Sequence, residues 1–553
     1  MKKQAWIVLT AVLMVWAVLF AACAPKSAVP EGTPEGSAPG MTTAPTPVPT
    51  PTPTPAPTHT PTPTPEAVDP FRVEDDVVDS TEDVVLDFYE FLAQCNAAHK
   101  AVTQMNYSKA FYNPFTPDFH DTLNLVSEEE ANALLNSKRS APGTVCTKEE
   151  ALQDVDLLFR LYRSFFGGYA YFGGEEAFDA AEHKIIAKIN AYSGTLTVDA
   201  LSELILGELD FITDRHMNVG EYLLCEYHGM NVTDYYVKDL YFYEDDAGFY
   251  TRINGRKWHL QQVGADSAVA GYLKVTVDGE GRLCYMLLLS VRPDDTRLDS
   301  RTIQLSRGER MAEKAIVWTD FSQRPLASVS ETLEFTDGIP VLKVDLRENG
   351  AEVEEAQQER LRQMGPDLLE QDVLILDANS GCGWQSLFDS VDHSSPEVFL
   401  YKLSKTAEYL GRRNMPWARG TYGEYVVNQF EGQWGENGTL VFAVQDKTNY
   451  SASEDTISDI RAMENVITLG GSTGGTAGPG SSTGQAMVLP NTGLYVHFGA
   501  SLSMGAGYTE EGYCIDPDIW VEPTKAADAA RRLCKFYGIE NRADTSVLAP
   551  YGD

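Results

Sequence analysis

The stretch Thr439-Leu440-Val441-Phe442-Ala443-Val444, followed after a short loop by Ser451-Ala452-Ser453-Glu454 and then by Val466-Ile467-Thr468-Leu469, decides the fold. The first run is almost wholly apolar and reads as a buried strand, Ser453 to Glu464 as a helix, and Val466 to Leu469 as the next strand. Toward the amino terminus the pattern repeats. Ile339 to Asp345 reads as a strand, Ala351 to Gln371 as a helix, Val373 to Asp377 as a fully apolar strand and Pro396 to Arg413 as a helix. This alternation predicts a layered α/β domain over 336–553, with function collected on loops at the carboxyl ends of the strands.

Farther upstream the texture changes twice. Residues 219–335 carry short Tyr-, Val- and Leu-rich runs broken by turn signals such as Asn254-Gly255 and Asp278-Gly279, which predict hairpins and a β-rich middle module. Residues 71–218 place apolar side chains at three- and four-residue intervals, in Ser80 to Lys100, Thr147 to Phe166, Glu175 to Tyr192 and Thr197 to Thr213, and so predict an N-terminal helical domain. Thr147-Lys148-Glu149-Glu150 reads as a capping box.

The whole chain has 553 residues, 43% apolar and 10% aromatic, enough to bury a core over most of its length. Its formal charge of −37 argues against a general nucleic-acid or anionic-membrane surface and favours basic or polar peptide partners. The eight cysteines are dispersed and form no CxxC pair, so neither a disulfide scaffold nor a metal site is expected. Cys95 and Cys146 fall in one helical region and could pair.

At the start, Lys2 and Lys3 precede an apolar run that ends in Leu19-Phe20-Ala21-Ala22-Cys23. This resembles a bacterial lipoprotein signal, which implies removal of 1–22, acylation of Cys23 and a lipid anchor on the outer face of the cytoplasmic membrane. Residues 23–70 are a Pro/Thr-rich linker whose prolines block helix and sheet and favour polyproline II.

For chemistry, a serine at a strand-to-helix turn exposes its hydroxyl where helix amides favour developing negative charge. Ser451 occupies that place, although a serine there also serves as a helix cap. Two further segments bear on it. Leu376-Asp377-Ala378-Asn379-Ser380-Gly381-Cys382-Gly383 lies upstream; downstream come Leu469-Gly470-Gly471-Ser472-Thr473-Gly474-Gly475 and Glu511-Gly512-Tyr513-Cys514-Ile515-Asp516-Pro517-Asp518. In this order the region over roughly 335–525 resembles the C-terminal processing, or tail-specific, serine peptidases, in the superfamily that includes the tricorn core protease.

The resemblance implies a crotonase-like core and no metal or organic cofactor. It makes Ser451 the nucleophile, with the Ala452 amide and the amides of Gly381 and Gly383 as oxyanion-hole donors. Where the lysine-dyad branch has its base, this chain has Thr476, and no lysine occurs from Arg461 to Glu522. The tricorn-like branch uses histidine from an Asp-x-His segment, matched here by Asp214-Arg215-His216, and a glutamate matched by Glu511, with Glu510 the second choice. His497 is a competing base, and Cys382 and Cys514 are thiols near the same loops. The middle module stands where such peptidases carry a PDZ-type domain, but it has no clear carboxylate-binding loop.

Several motif positions depart from the family. Asn379 and Gly381 replace its Arg and Asn, Trp384 its second glycine, Gly471 the Glu of Gly-Glu-x-Thr, and Cys514 a glycine. Two functions are therefore expected: a lipid-anchored extracytoplasmic serine endopeptidase acting on polypeptides, or an inactive relative that binds peptides or other ligands at the cell surface. Leu489-Pro490-Asn491-Thr492-Gly493 matches a wall-sorting pentapeptide, but with a strand and helix after it, it reads as an internal turn.

Overall fold

Why the apolar runs near the carboxyl terminus are continuous is explained by a six-stranded sheet covered on both faces. The computed structural model describes residues 71, 79, 81–105, 125–322, 324, 331–344, 351–378, 384–411, 425–475, 484–504 and 514–552. Its central sheet runs in the order Thr332–Thr336, Ile339–Val344, Val373–Ala378, Leu440–Gln445, Val466–Gly470 and Ile519–Trp520. The first pair is antiparallel and every later pair parallel. Successive side chains of a strand point to opposite faces. Val373, Ile375, Phe442 and Val444 pack with Phe88 of the helix Phe88–Thr103 and with Ala529 and Leu533 of the helix Ala526–Tyr537. Leu374, Leu376, Val441 and Ala443 face the other way, against Leu361 and Met364 of the helix Ala351–Leu368 and Ile457 and Ile460 of the helix Ala452–Ile460. The result is the layered α/β architecture expected from the sequence.

One element differs. Pro396 to Arg413, read as a helix, forms the strand Glu397–Lys402 and a single helical turn, Lys405–Tyr409. The apolar run Val398 to Tyr401 is buried along its length and pairs on both sides, with Tyr425–Phe430 and Ser501–Met504. Sheet pairing on both edges thus sets the conformation of this run.

The helical region comprises Phe88–Thr103, Glu128–Asn136, Lys148–Ser164, Gly174–Ala191 and Val198–Leu206, with capping boxes at Ser127 and Thr147. Its core is shared with later sequence: Phe159, Tyr162, Phe166 and Phe178 pack in one cluster with Leu400, Met487, Val496 and Phe498. A four-stranded antiparallel sheet joins the two regions in the order Gly484–Val488, Tyr495–Gly499, Asn218–Val219 and Tyr222–Leu223. Leu489 to Leu494 is the turn inside that sheet. The buried Asp154 carboxylate holds it, accepting from the Asn491 and Thr492 amides at 3.2 and 2.7 Å and from the Thr492 hydroxyl at 2.7 Å.

The middle module is an eight-stranded antiparallel sheet built on the long strand Thr233–Asp245. Asn254 and Gly255 both have positive φ, 53° and 74°, between Gly248–Ile253 and Arg256–Val263, as a two-residue primed turn requires. Cys95 and Cys146 are both free thiols, so the pairing considered from sequence is not made. Cys95 packs with the central sheet and Cys146 in the helical core. Among the described residues no helix is long and apolar enough to cross a membrane. Residues 1–70 with Cys23, and Gly381, Gly383, Glu510 and Glu511, lie outside the described residues.

A buried ionic contact ties the central sheet to the first helix. The Asp518 side chain, 8% exposed, meets His99 Nε2 at 2.8 Å and Arg461 Nη2 at 3.2 Å, and accepts from the Thr468 amide at 2.7 Å. Burial alone would raise its pKa, but the charges of His99 and Arg461 outweigh that and hold it well below the usual carboxylate range. A depressed folded pKa contributes stability above the unfolded value, about 3.9, and loses it as pH falls below that value. Asp518→Asn is therefore expected to flatten the acid side of a melting-temperature profile below about pH 4, while lowering stability at neutral pH by about 3 kcal/mol. Unchanged acid sensitivity in the variant would show that other carboxylates dominate it.

Candidate active site

Ser451 closes the loop that leaves the strand Leu440–Gln445 and caps the helix Ala452–Ile460. Its φ of 55° and ψ of −125° are unusual for a residue with a side chain and must be held by the surroundings. Three sets of contacts do so. Arg324, buried, forks onto Asp446 with Nε to Oδ2 and Nη2 to Oδ1 both at 2.9 Å, and its other nitrogen reaches Asp377 Oδ1 at 2.5 Å. One guanidinium thus pins the ends of two adjacent parallel strands. Asp446 also accepts from the Thr448 amide at 2.9 Å, and its own amide donates to Asn449 Oδ1 at 2.9 Å. Burial would raise the Asp446 pKa; the Arg324 hydrogen bonds and charge more than offset it and hold the carboxyl below its ordinary value.

The second set is Glu454, fully buried one turn into the helix. It accepts from the Ser451 amide at 3.1 Å, the Thr473 hydroxyl at 2.5 Å and the Gly475 amide at 2.8 Å. The Ser451 loop and the glycine loop after Val466–Gly470 are therefore tied through one carboxylate. Third, the Gly474 amide donates to the Asn449 carbonyl at 2.7 Å. Gly470, at φ 134°, lies so close to the preceding strand that a Cβ would stand 2.0 Å from the Gln445 carbonyl oxygen. Glycine is required there by approach as well as by dihedral.

His216 reaches the same point from the junction between the helical region and the middle module. Its Nε2 lies 3.1 Å from Ser451 Oγ, across 235 positions of sequence. The His216 amide donates to the buried Asp214 carboxylate at 2.9 Å, closing a local turn. Arg215 donates to the Met230 carbonyl at 2.9 Å and the Gly474 carbonyl at 3.2 Å. The ring's other nitrogen, Nδ1, is 3.9 Å from Asp214 Oδ1 and is buried without a hydrogen-bond partner among the described residues. With Nε2 facing the hydroxyl, the unprotonated tautomer at that atom can accept its proton.

Of the site residues expected from sequence, Ser451 and His216 are brought within hydrogen-bond distance, and Ala452 follows as the first helical residue. An amide at that position has no intrahelical carbonyl to donate to. His497 Nδ1 donates to the His216 carbonyl at 2.9 Å from the neighbouring strand, where the residue pairs with Asn218. It supports the His216 backbone. Arg324, Asp446 and the linking role of Glu454 escaped sequence reading. For Glu454 the signal was its place in Ser-Ala-Ser-Glu; for Arg324 there was none.

No family model matches this chain, and no curated protein matches it. Solved structures do. Mature CPAF is similar at 10% identity and a TM-score of 0.34, over 71% of this chain and 96% of that one. The photosystem II D1 C-terminal processing protease gives 12%, 0.31, 71% and 97%. A lipoprotein from Streptococcus agalactiae gives 10%, 0.30, 73% and 99%. At these identities and TM-scores each is a distant likeness of fold.

Proposed function

We propose that the chain is a serine endopeptidase that cleaves polypeptides through an acyl-enzyme, with Ser451 as nucleophile and His216 as general base. The observation that carries this reading is the 3.1 Å approach of His216 Nε2 to the hydroxyl of a serine whose backbone stands at φ 55° on a helix amino terminus. As Ser451 Oγ attacks the scissile carbonyl carbon, its proton passes to Nε2 and the carbonyl oxygen becomes an oxyanion. The Ala452 amide, with amides of Gly381 and Gly383, receives that charge. Collapse breaks the C–N bond, and Nε2 returns the proton to the leaving amine. Water, deprotonated by the same nitrogen, then attacks the acyl carbon and regenerates Ser451. By the resemblance to tail-specific peptidases, Glu511 is assigned the role of orienting and stabilising the imidazolium.

The same reading makes the layered core crotonase-like, assigns 71–218, 219–335 and 336–553 as its three parts, and needs neither metal nor organic cofactor. It also keeps the chain at the outer face of the membrane through a lipid on Cys23, with 1–22 removed and 23–70 as spacer. Cys23→Ser is expected to move the protein from the membrane pellet to the soluble extracytoplasmic fraction in the producing bacterium. Retention in the pellet would point to an apolar span as the anchor.

The test of activity is hydrolysis of an unfolded polypeptide by the full chain. Ser451→Ala is expected to lower kcat by about 10⁴-fold or more. A folded wild type that cleaves nothing would favour the ligand-binding relative, and cleavage unaffected by Ser451→Ala would refute the nucleophile.

A further inference from the structure

Asp234 stands near the start of the middle module's longest strand, buried, and is bonded to the central domain's glycine loop. Its carboxylate accepts from the Ser472 amide at 2.9 Å, the Ser472 hydroxyl at 2.6 Å and the Ser290 hydroxyl at 2.7 Å. Lys447, from the nucleophile loop, brings its amine to 4.0 Å from the same carboxylate and donates to Ser472 Oγ at 2.5 Å and to the Thr473 carbonyl at 3.1 Å. The loop's next residue, Thr473, takes the Ile515 amide at 2.8 Å on its hydroxyl oxygen and donates that hydroxyl to Glu454. Glu454 in turn holds the Ser451 amide. A path of hydrogen bonds, with the Ser472–Thr473 peptide bond between them, thus runs from the middle sheet through Glu454 to Ser451.

We propose that Asp234 is a positioning residue for Ser451, so that the middle module sets the nucleophile's geometry. The proposal rests on reading Ser451 as the nucleophile. Two features favour it over a merely structural contact. The positive φ of Ser451 has to be imposed from outside the residue, and its amide is bonded to the carboxylate that also anchors the glycine loop. In addition, both ends of the loop that carries Ser451 meet this path, at Lys447 and at Ser451 itself. When Asp234 loses its acceptor character, the glycine loop is freed first, then Glu454, then the hydroxyl.

The experiment measures fluorophosphonate labelling of the full chain, recording both rate and end point, in wild type, Asp234→Asn and Ser472→Ala. Asp234→Asn keeps the side chain's size but turns one acceptor into a donor facing donors. Its labelling rate is expected to fall roughly 10- to 100-fold, the scale of a small misplacement of reacting groups, while the end point stays complete. Peptide hydrolysis should then show a lower kcat with KM little changed. Ser472→Ala, which removes only the hydroxyl link, should slow labelling less. Amide exchange by mass spectrometry over 446–456 should quicken in both variants. An unchanged rate, or an unchanged rate with a reduced end point, would overturn the proposal and leave Asp234 a folding contact. Absence of labelling in the wild type would instead remove the nucleophile assignment, and the exchange data alone would then decide whether the middle module restrains the loop.

Discussion

Replacing His216 by alanine is expected to lower kcat/KM for peptide hydrolysis by about 10⁴-fold or more, with a melting midpoint within about 3 °C of wild type. A serine hydroxyl is a weak nucleophile without a base at hydrogen-bond distance. The imidazole is the group found there, with Nε2 at 3.1 Å, and it is partly exposed at 20%, so its loss removes little packing. His497→Ala should cost less, because that ring's Nδ1 is bonded to the His216 backbone carbonyl. Equal kcat/KM in wild type and His216→Ala, both folded, would mean that another base serves Ser451.

A large loss of stability is expected from Arg324→Ala. Arg324 is a buried cation shared by Asp446 and Asp377, and its removal leaves Asp446 fully buried without its fork. Breaking a buried pair from one side costs about 3–5 kcal/mol, and here the lost contacts also hold the loop before Ser451. The pH dependence distinguishes this from simple loss of packing. In the wild type the folded Asp446 pKa is depressed, so its stabilisation is complete at neutral pH and declines as pH falls below the unfolded value of about 3.9. Without Arg324, burial is opposed only by the Thr448 hydrogen bonds, so the folded pKa is less depressed and less of the stability is tied to the ionised acid. The stability deficit should therefore be largest near pH 7 and narrow toward about pH 4. Chemical denaturation at several pH values checks this; a deficit independent of pH would show that lost packing, not the bared carboxylate, is the cause.

Local pattern carried a good deal of this architecture. The strands Val373–Ala378 and Leu440–Gln445 were legible because both faces are covered, so all but Asp377 and Gln445 near their carboxyl ends are apolar. The Asn254-Gly255 hairpin was legible because its turn requires two positive φ values. Pro396 to Arg413 was misread because a strand paired on both edges and a helix entered at proline have similar composition over six residues. At the candidate site, Ser451 stood out as a serine at a strand-to-helix junction, whereas His216 was singled out only through the resemblance, whose Asp-x-His segment it matches. Arg324 was not, since it sits in an irregular segment 122 positions before Asp446 and owes its place to two strand ends that only the folded sheet brings together. Asp234 was hidden for the same reason: a carboxylate in a hairpin-rich module gives no local sign that it will meet Ser472, 238 residues later.

The most direct measurement is to locate, by peptide mass spectrometry, the phosphonyl adduct formed by a fluorophosphonate on the full chain and on His216→Ala. The Ser451–His216 pairing predicts an adduct on Ser451 in the wild type and essentially none in the variant over the same time. An adduct on another residue, or one on Ser451 forming equally fast without the imidazole, would contradict it.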